Sequence, residues 1–332
     1  MRPFSAIPTI SLRTFSDDSD YERLCDLWLA CRQSFGWEGA ITADDLKNQS
    51  QWKQHFDPYR QQYLVFDEGH LIGSCAHNWS DMGGNLAVFH VDGMLLPQYW
   101  QTDLPEAMLN LMEERSREMA AGLPEEKQCF LSSWLPQKGE AVLDFYLAHG
   151  YQKTRYFIEM VRPTSLPLAA YPLPQGVEIR PVDEEHLRQI FEAENEATHD
   201  HWGHIEYGDE QYLAWLDDRR CQPHIWKVAW EGKEICGMVR SYVDELENQT
   251  EQRLRGYTEF ISVRRPWRRK GLAKALLAES IRMFRDMGMQ ETALGVDTEN
   301  PSSAQALYHN MGYTENRDKT YLVVTKPLVR QS

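Results

Sequence analysis

Residues 256–277, GYTEFISVRRPWRRKGLAKALL, carry the chemistry-bearing pattern of this 332-residue chain. Thr258 to Val263 alternates loosely between apolar and polar residues and is rich in aromatic and β-branched types, which predicts a strand. Arg264, Arg265, Pro266, Trp267, Arg268, Arg269 and Lys270 follow as a basic loop. Gly271, Leu272 and Ala273 then open a helix, with Leu272, Ala275, Leu276, Ile281 and Met283 at roughly helical spacing. The first N–H groups of a helix have no internal acceptor and point at whatever lies beyond its end. Glycine lets a ligand approach the backbone closely, and the arginines add positive charge. A strand, a small-residue turn and a helix start therefore make an anion site, and the ligand it suggests carries phosphate. The pattern is neither G-x-x-x-x-G-K-[ST] nor G-x-G-x-x-G.

The spacing Arg268-x-x-Gly271-x-Ala273 after a strand ending at Val263 resembles the pyrophosphate loop of GCN5-related N-acetyltransferases, the GNAT superfamily. A second resemblance follows in the expected order: Val296-Asp297-Thr298-Glu299-Asn300-Pro301, then Ala306-Leu307-Tyr308-His309-Asn310-Met311-Gly312-Tyr313. It implies acetyl-CoA as cosubstrate and direct acetyl transfer to an amine in a ternary complex. By position it places Ile261, Ser262, Val263, Arg268, Arg269, Lys270, Gly271, Leu272, Ala273, Lys274, Asn300 and Tyr308 against acetyl-CoA. A backbone N–H near Val263 would polarise the thioester carbonyl. The N–H groups of Arg268 to Ala273 would hold the pyrophosphate, with the side chains of Arg268, Arg269 and Lys270 reaching outer phosphates.

The same resemblance makes Tyr308, four residues before Gly312, the group that serves the leaving thiolate. A phenol of pKa about 10 is a weaker acid than a thiol of about 8.5, so it would act mainly by hydrogen-bonding developing charge on sulfur. Packing is the alternative role. Ala304, Leu307, Tyr308 and Met311 form an i, i+3, i+4, i+7 apolar face, and Tyr146 likewise stands four residues before Gly150. Asn300 before Pro301 fits a helix N-cap, and the family's asparagine here also contacts the pantetheine arm or its neighbourhood. An amine must be neutral to attack, so a base or a water path is needed. Glu259 is the first candidate. The family's usual strand glutamate lies two residues earlier, at Tyr257, and strand alternation puts both on one face. A paired surface carboxylate is the alternative for Glu259. His199, Asp200, His201, Trp202 and His204 cluster after the first helix of the second half. Their spacing fits no zinc pattern, and no metal is expected. The loop borders the acceptor pocket in GNAT folds, and Asp200-His201-Trp202-Gly203 resembles a segment of tandem members. Asp200, His201, Trp202 and Tyr257 are therefore the candidate acceptor contacts, with a solvated loop as the alternative.

The elements that position these residues recur. In the first half the pattern predicts a strand at Thr9–Phe15, a helix at Tyr21–Phe35, partly helical residues over 43–62, and a hairpin through Glu68-Gly69. A strand at Ala87–Leu96, a helix at Leu104–Met119, a strand at Gln128–Leu135, a helix at Glu140–His149 and a strand at Tyr156–Val161 complete it. Pro163, Pro167, Pro172 and Pro174 mark a connector over 163–176. The order then starts again with a strand at Val177–Pro181, helices at Glu184–Thr198 and Glu210–Asp217, and a hairpin through Glu231-Gly232-Lys233. After the basic loop and its helix come a strand at Glu291–Val296, a helix at Asn300–Met311 and a strand at Tyr321–Lys326.

Four anchors share nearly one offset: Arg13 with Arg180 (167), Gly73 with Gly237 (164), Pro97 with Pro266 (169), and Gly150-Tyr151 with Gly312-Tyr313 (162). This reads as an internal duplication, and mixed strands and helices in this order imply an α/β (α+β) sheet in each half. With the resemblance, the expectation is two tandem GNAT folds, each a mixed, mostly antiparallel sheet flanked by helices. The expected domains are 1–162, a linker at 163–176, and a catalytic domain at 177–332. After Pro97 the first half reads Gln98-Tyr99-Trp100-Gln101-Thr102-Asp103-Leu104-Pro105, without glycine or arginine and with Asp103 where an anion would want positive charge. The first copy is expected to have lost the pyrophosphate loop. A degenerate first copy beside an intact second resembles the tandem arrangement of mycothiol synthase-like GNAT proteins, although no residue specific to their substrate is matched.

Composition bounds the rest. With 42% hydrophobic and 26% charged residues the chain is an ordinary globular protein of about two domains. A net charge of −15 argues against general nucleic-acid binding. Six scattered cysteines without CxxC read as reduced thiols. Met1-Arg2-Pro3-Phe4 leads into no long apolar run, and no stretch approaches the roughly 20 residues of a membrane span, so a cytoplasmic protein with no membrane partner is expected. The functional expectation is an acetyltransferase acting on a small-molecule amine. An acetyl-CoA sensor without turnover and a protein or peptide N-acetyltransferase are the alternatives.

Overall fold

A computed structural model describes residues 4–136, 140–199, 205–299 and 304–330. The chain forms two compact units: residues 1–155 with 321–332, and residues 156–320. No helix among the described residues is long and apolar enough to cross a membrane.

The first unit contains β1 (Ile10–Thr14), α1 (Ser19–Phe35), α2 (Ala43–Trp52), a short α3 (Pro58–Gln61), β2 (Gln62–Asp67), β3 (His70–Asp81), β4 (Leu86–Leu95), α4 (Leu104–Ala120), β5 (Gln128–Pro136), α5 (Glu140–Ala148) and the start of β6 (Gln152–Pro163). Its sheet runs β1-β2-β3-β4-β5 and then residues 321–327. All neighbours are antiparallel except β4 and β5, which are parallel. α4 lays Leu104, Met108, Leu109 and Met112 into a core with Phe89, Val91 and Leu131, the apolar stripe that its sequence spacing demands.

The second unit takes the rest of β6, then β7 (Glu178–Arg180), α6 (Leu187–Thr198), α7 (Asp209–Asp217), β8 (Lys227–Glu231), β9 (Glu234–Tyr242), α8 (Glu245–Thr250), β10 (Arg255–Val263), α9 (Leu272–Asp286), β11 (Glu291–Asp297), α10 (Ala304–Asn310) and β12 (Thr314–Pro327) as far as residue 320. Its sheet runs β7-β8-β9-β10-β11 and then residues 157–163. Here β10 and β11 are the parallel pair.

The duplication is visible in backbone detail. The β2–β3 and β8–β9 hairpins carry the same irregularity, between Val65 and Phe66 and between Ala229 and Trp230. A Cβ on Gly73 would lie 2.8 Å from Leu95, and one on Gly237 would lie 2.6 Å from the Ser262 carbonyl, so both glycines admit the neighbouring strand. The α5 and α10 helices end alike: Gly150 and Gly312 sit at φ +85° and +90°, and the N–H groups of Tyr151 and Tyr313 donate back to the carbonyls of Tyr146 and Tyr308.

Two segments fall outside the expected domain boundaries. The strand after α5 gives residues 157–163 to the second unit, where Met160 packs with Leu277, Leu294 and Tyr313. The last strand gives residues 321–327 to the first unit, where Val324 joins its core. Nor is 163–176 a free connector. The buried Arg162 guanidinium donates to the carbonyls of Pro163, Leu166, Pro167 and Met311, which ties the proline-rich stretch to the second unit. The short helix α8 has no counterpart in the sequence expectation.

α9 comes closest to β10 at one small residue. A Cβ on Gly256 would stand 2.4 Å from the Phe284 ring, and a ring in a filled core has nowhere to turn. Gly256→Ala should therefore cost about 2 kcal/mol of stability, read as a lowered midpoint in urea unfolding. An unchanged midpoint would show that α9 can shift.

Candidate active site

β10 holds one residue more than its partner strand allows. Glu259 pairs with Arg240 and Ser262 with Met238, so Phe260 and Ile261 together face Val239. The extra residue makes a β-bulge, which bends the strand and leaves backbone groups without a ladder partner. Phe260 takes up the bend at φ +49°, a left-handed backbone that is unusual for an aromatic residue. On its other side β10 pairs with β11 through only three residues, Arg255 to Tyr257 with Glu291 to Ala293. Beyond them the parallel ladder stops, and the Gly295 N–H instead donates to Glu259 Oε1 at 2.8 Å.

The loop after β10 is braced by its own cations. Arg264 pairs with Glu196 at 2.7 Å and Glu234 at 3.0 Å. The Arg268 guanidinium donates to the carbonyls of Val263 and Ala197 at 2.9 and 2.8 Å, and its N–H donates to Arg265. Gly271 caps α9 at φ +84°, and a Cβ there would meet nothing within 4 Å. The N–H groups of Arg269, Lys270, Gly271, Leu272, Ala273 and Lys274 have no acceptor among the described residues. Arg269, Lys270 and Gly271 are exposed. Open donors at the positive end of a 15-residue helix suit a diphosphate.

Carboxylates around β10 divide into two kinds. Glu247, from α8, accepts from Tyr257 Oη at 2.6 Å and Lys319 Nζ at 3.1 Å and is paired with Arg253. Burial alone would raise its pKa, but these cations and the phenol hold it below the usual carboxylate value. Glu159 lies between Arg255 and Lys319, at 2.8 and 3.1 Å. Glu259 has no ion pair among the described residues. Burial pushes it up to about 7, although the Gly295 N–H pulls the other way. Tyr308 is buried among Leu277, Leu294, Val296 and Met311. Burial raises its pKa and the nearby Glu259 charge raises it further, so the phenol stays protonated. Its hydroxyl has no hydrogen-bond partner among the described residues.

The matched place in the first unit is built differently. Ala76 pairs with Asp92 and Ser74 with Met94 without an extra residue, so β4 has no bulge there. Asp103 occupies the N-cap of α4, where its carboxylate accepts from Ser5 Oγ at 2.8 Å and the Ala6 N–H at 2.6 Å. The Tyr146 hydroxyl lies 3.4 Å from the Val91 carbonyl and 3.3 Å from Ser133 Oγ.

A strand bulge, a parted parallel pair and a glycine-capped helix are features of sequence as well as geometry. Residues 187–313 match the acetyltransferase (GNAT) family. The second unit carries a GNAT-family domain. Solved structures extend the likeness to the whole chain. A GCN5-related N-acetyltransferase from Sphaerobacter thermophilus superposes with a TM-score of 0.71 at 22% identity, over 98% of both chains. A tandem GNAT protein from the clavulanic acid biosynthesis pathway gives 0.66 at 12% identity, over 97% of this chain and 100% of that one. A GCN5-related glucosamine N-acetyltransferase region of a fungal multi-domain GH3 β-N-acetylglucosaminidase gives 0.66 at 12%, over 97% of this chain and 38% of that one. At these identities the likeness is one of fold, and the fold is the tandem GNAT fold. No curated protein matches the sequence.

Within the GNAT domain the structure gathers many of the expected residues. Ile261, Ser262 and Val263 form the end of β10, and Arg269 to Lys274 form the open turn and first helical residues. Arg268 is present as a brace, with its guanidinium turned to backbone carbonyls and not outward. Tyr257 is buried, stacked on Tyr242 at 4.8 Å, and its hydroxyl donates to Glu247. Asn300, Asp200, His201 and Trp202 lie outside the described residues. Glu247, Gly256, Gly295 and the Phe260 bulge were not anticipated. Only a one-residue difference in offset, 167 from Asp92 to Glu259 but 168 from Met94 to Ser262, hints at the bulge in sequence.

A carboxyl whose folded pKa lies above its unfolded value supports the fold at low pH, and that support is lost as pH rises through the folded pKa. For Glu259 the window runs from about 4.5 to about 7. The protein should lose up to about 3 kcal/mol across it from this group, and Glu259→Gln should lose less by that amount when urea unfolding is followed from pH 5 to pH 8. Parallel pH profiles would mean that Glu259 titrates normally.

Proposed function

We propose that the chain is an acetyl-CoA-dependent N-acetyltransferase that acetylates a primary amine of a small molecule in a ternary complex, with the chemistry in the second unit. One observation carries the reading: β10 bulges between Glu259 and Ser262 and leads within a short loop into a glycine-capped helix whose first N–H groups have no acceptor among the described residues. When bound, acetyl-CoA supplies an activated acyl thioester. The N–H groups of Arg269 to Ala273 are the donors for its pyrophosphate, aided by the exposed Arg269 and Lys270 side chains. The bulged backbone at Phe260 and Ile261 offers a fixed N–H to the acyl oxygen, a dipole that need not reorganise as charge develops. Glu259, with a pKa of about 7, is partly ionised at neutral pH and able to take the proton that an attacking ammonium must lose. The Tyr308 phenol keeps its proton and donates toward a leaving thiolate. The first unit lacks both the bulge and the open helix start, which supports a single acetyl-CoA site.

Calorimetric titration of acetyl-CoA should give one site per chain. Gly271→Asp should abolish it, because an aspartate there adds both a strained backbone at φ +84° and a negative charge among the donors. Two sites would overturn the assignment of the first unit, and no binding would overturn the reading. In an amine screen that detects free thiol, Tyr308→Phe should lower turnover about tenfold or more while acetyl-CoA affinity stays nearly intact. Unchanged turnover would leave Tyr308 a packing residue.

A further inference from the structure

Phe260, at the bulge of β10, has a left-handed backbone at φ +49° and a ring that is 52% exposed. Such a backbone crowds the β-carbon of any residue but glycine, so it persists only where its surroundings fix it. A half-exposed ring gains little of that support from core packing. What the ring does have is Arg240, whose guanidinium carbon lies 4.1 Å from its centroid. A cation over an aromatic face is attracted by the ring quadrupole, the more so where water is excluded.

Arg240 is itself held fast. It is only 7% exposed and pairs across the ladder with Glu259, the residue before the bulge. Both oxygens of Glu194, on α6, engage it: Nε donates at 3.1 Å and a terminal guanidinium nitrogen lies at 2.8 Å. The buried rings of Trp215, on α7, and Trp226 have their centroids 5.1 and 5.4 Å from the guanidinium carbon. Neither indole N–H has a hydrogen-bond partner among the described residues, so these rings serve Arg240 through their faces. The first unit provides the comparison. The offset of 164 that relates Gly73 to Gly237 also relates Ala76 to Arg240. Ala76 pairs with Asp92 as Arg240 pairs with Glu259. The copy with the bulge has the arginine, and the copy with an unbroken ladder has alanine.

We propose that Arg240 is a positioning residue: it holds the Phe260 ring and so keeps the bulged backbone N–H turned to the acyl oxygen. That role rests on the acetyl-transfer reading above. Full-length protein labelled with ¹³C-phenylalanine gives Cα and Cβ shifts that report the Phe260 backbone without any turnover, and the signal missing from Phe260→Gly identifies it. Arg240→Met should move that signal out of the left-handed range. It should also lower kcat in the amine screen at least about tenfold, with acetyl-CoA affinity nearly intact. Phe260→Leu is a half-exposed change that spares the core, and it keeps the test open if Arg240→Met does not fold. It should lower kcat likewise, since leucine offers the cation no π face. Adding Phe260→Gly to Arg240→Met should restore much of the lost kcat, because glycine takes a left-handed backbone unaided. An arginine with a merely structural role would not be rescued in this way. An unmoved Phe260 signal in Arg240→Met, an unchanged kcat in Phe260→Leu, or a double variant as slow as Arg240→Met would each overturn the role of Arg240. A left-handed signal that Arg240→Met abolishes, in a protein that releases no thiol, would overturn the acetyl-transfer reading and leave the tether standing.

Discussion

The parting of β10 from β11 is the constraint on which the second unit depends. Two parallel strands that pair through three residues and then diverge leave backbone donors and acceptors facing a gap, and buried backbone groups must find partners. The Glu259 carboxylate supplies one by accepting the Gly295 N–H, in the place of a strand carbonyl. That single bond explains an intermediate protonation behaviour. Burial drives Glu259 toward neutrality, and the donated hydrogen bond holds it back, so it settles at about 7 and not higher. The same divergence makes room for the extra residue in β10 and for the left-handed Phe260. Gly256 and Phe284 then fix the C-terminal part of α9 against the part of β10 that still pairs.

The two copies show how little separates a cleft from a closed strand pair. Their hairpins, their crossing glycines and their helix ends coincide. They differ by one residue in the fourth strand and by the group that caps the following helix. In the second unit that cap is Gly271, with open space beside it; in the first it is Asp103, already bonded to Ser5 and Ala6. A carboxylate at a helix start meets the same dipole that an anionic ligand would, although Asp103 bonds to Ser5 and Ala6 and not to the helix N–H groups. The first unit therefore carries its own anion, and a phosphate there would face repulsion.

Much of this was legible in sequence because it rests on local chemistry. The glycine-led helix, the basic loop and the duplicated order follow from periodicity and turn residues, and the helix expected at Leu104–Met119 spans Leu104–Ala120. What was not legible depends on pairing between distant residues. The exchange of residues 157–163 and 321–327 leaves no local mark, since an antiparallel strand reads the same beside either β5 or β11. The proline-rich stretch reads as a connector because its anchor, the fully buried Arg162, acts through backbone carbonyls that any sequence would offer. Arg268 misleads in a related way. A charged residue in a phosphate-type loop suggests a ligand contact, yet its guanidinium closes the loop on Val263 and Ala197.

The carboxylates around β10 differ in how cations are shared. Arg253, Arg255 and Lys319 are engaged by Glu159, Glu247 and Glu291. Tyr257 secures that arrangement by donating to Glu247, so the tyrosine at the strand position where a glutamate is usual serves as a holder for a carboxylate that stays ionised. With the cations committed to the other carboxylates, Glu259 is tuned only by burial, one backbone N–H and distant charge. The Glu259 carboxyl thus stands near 7 among carboxylates that cations neutralise, and Tyr257 holds one of them in place.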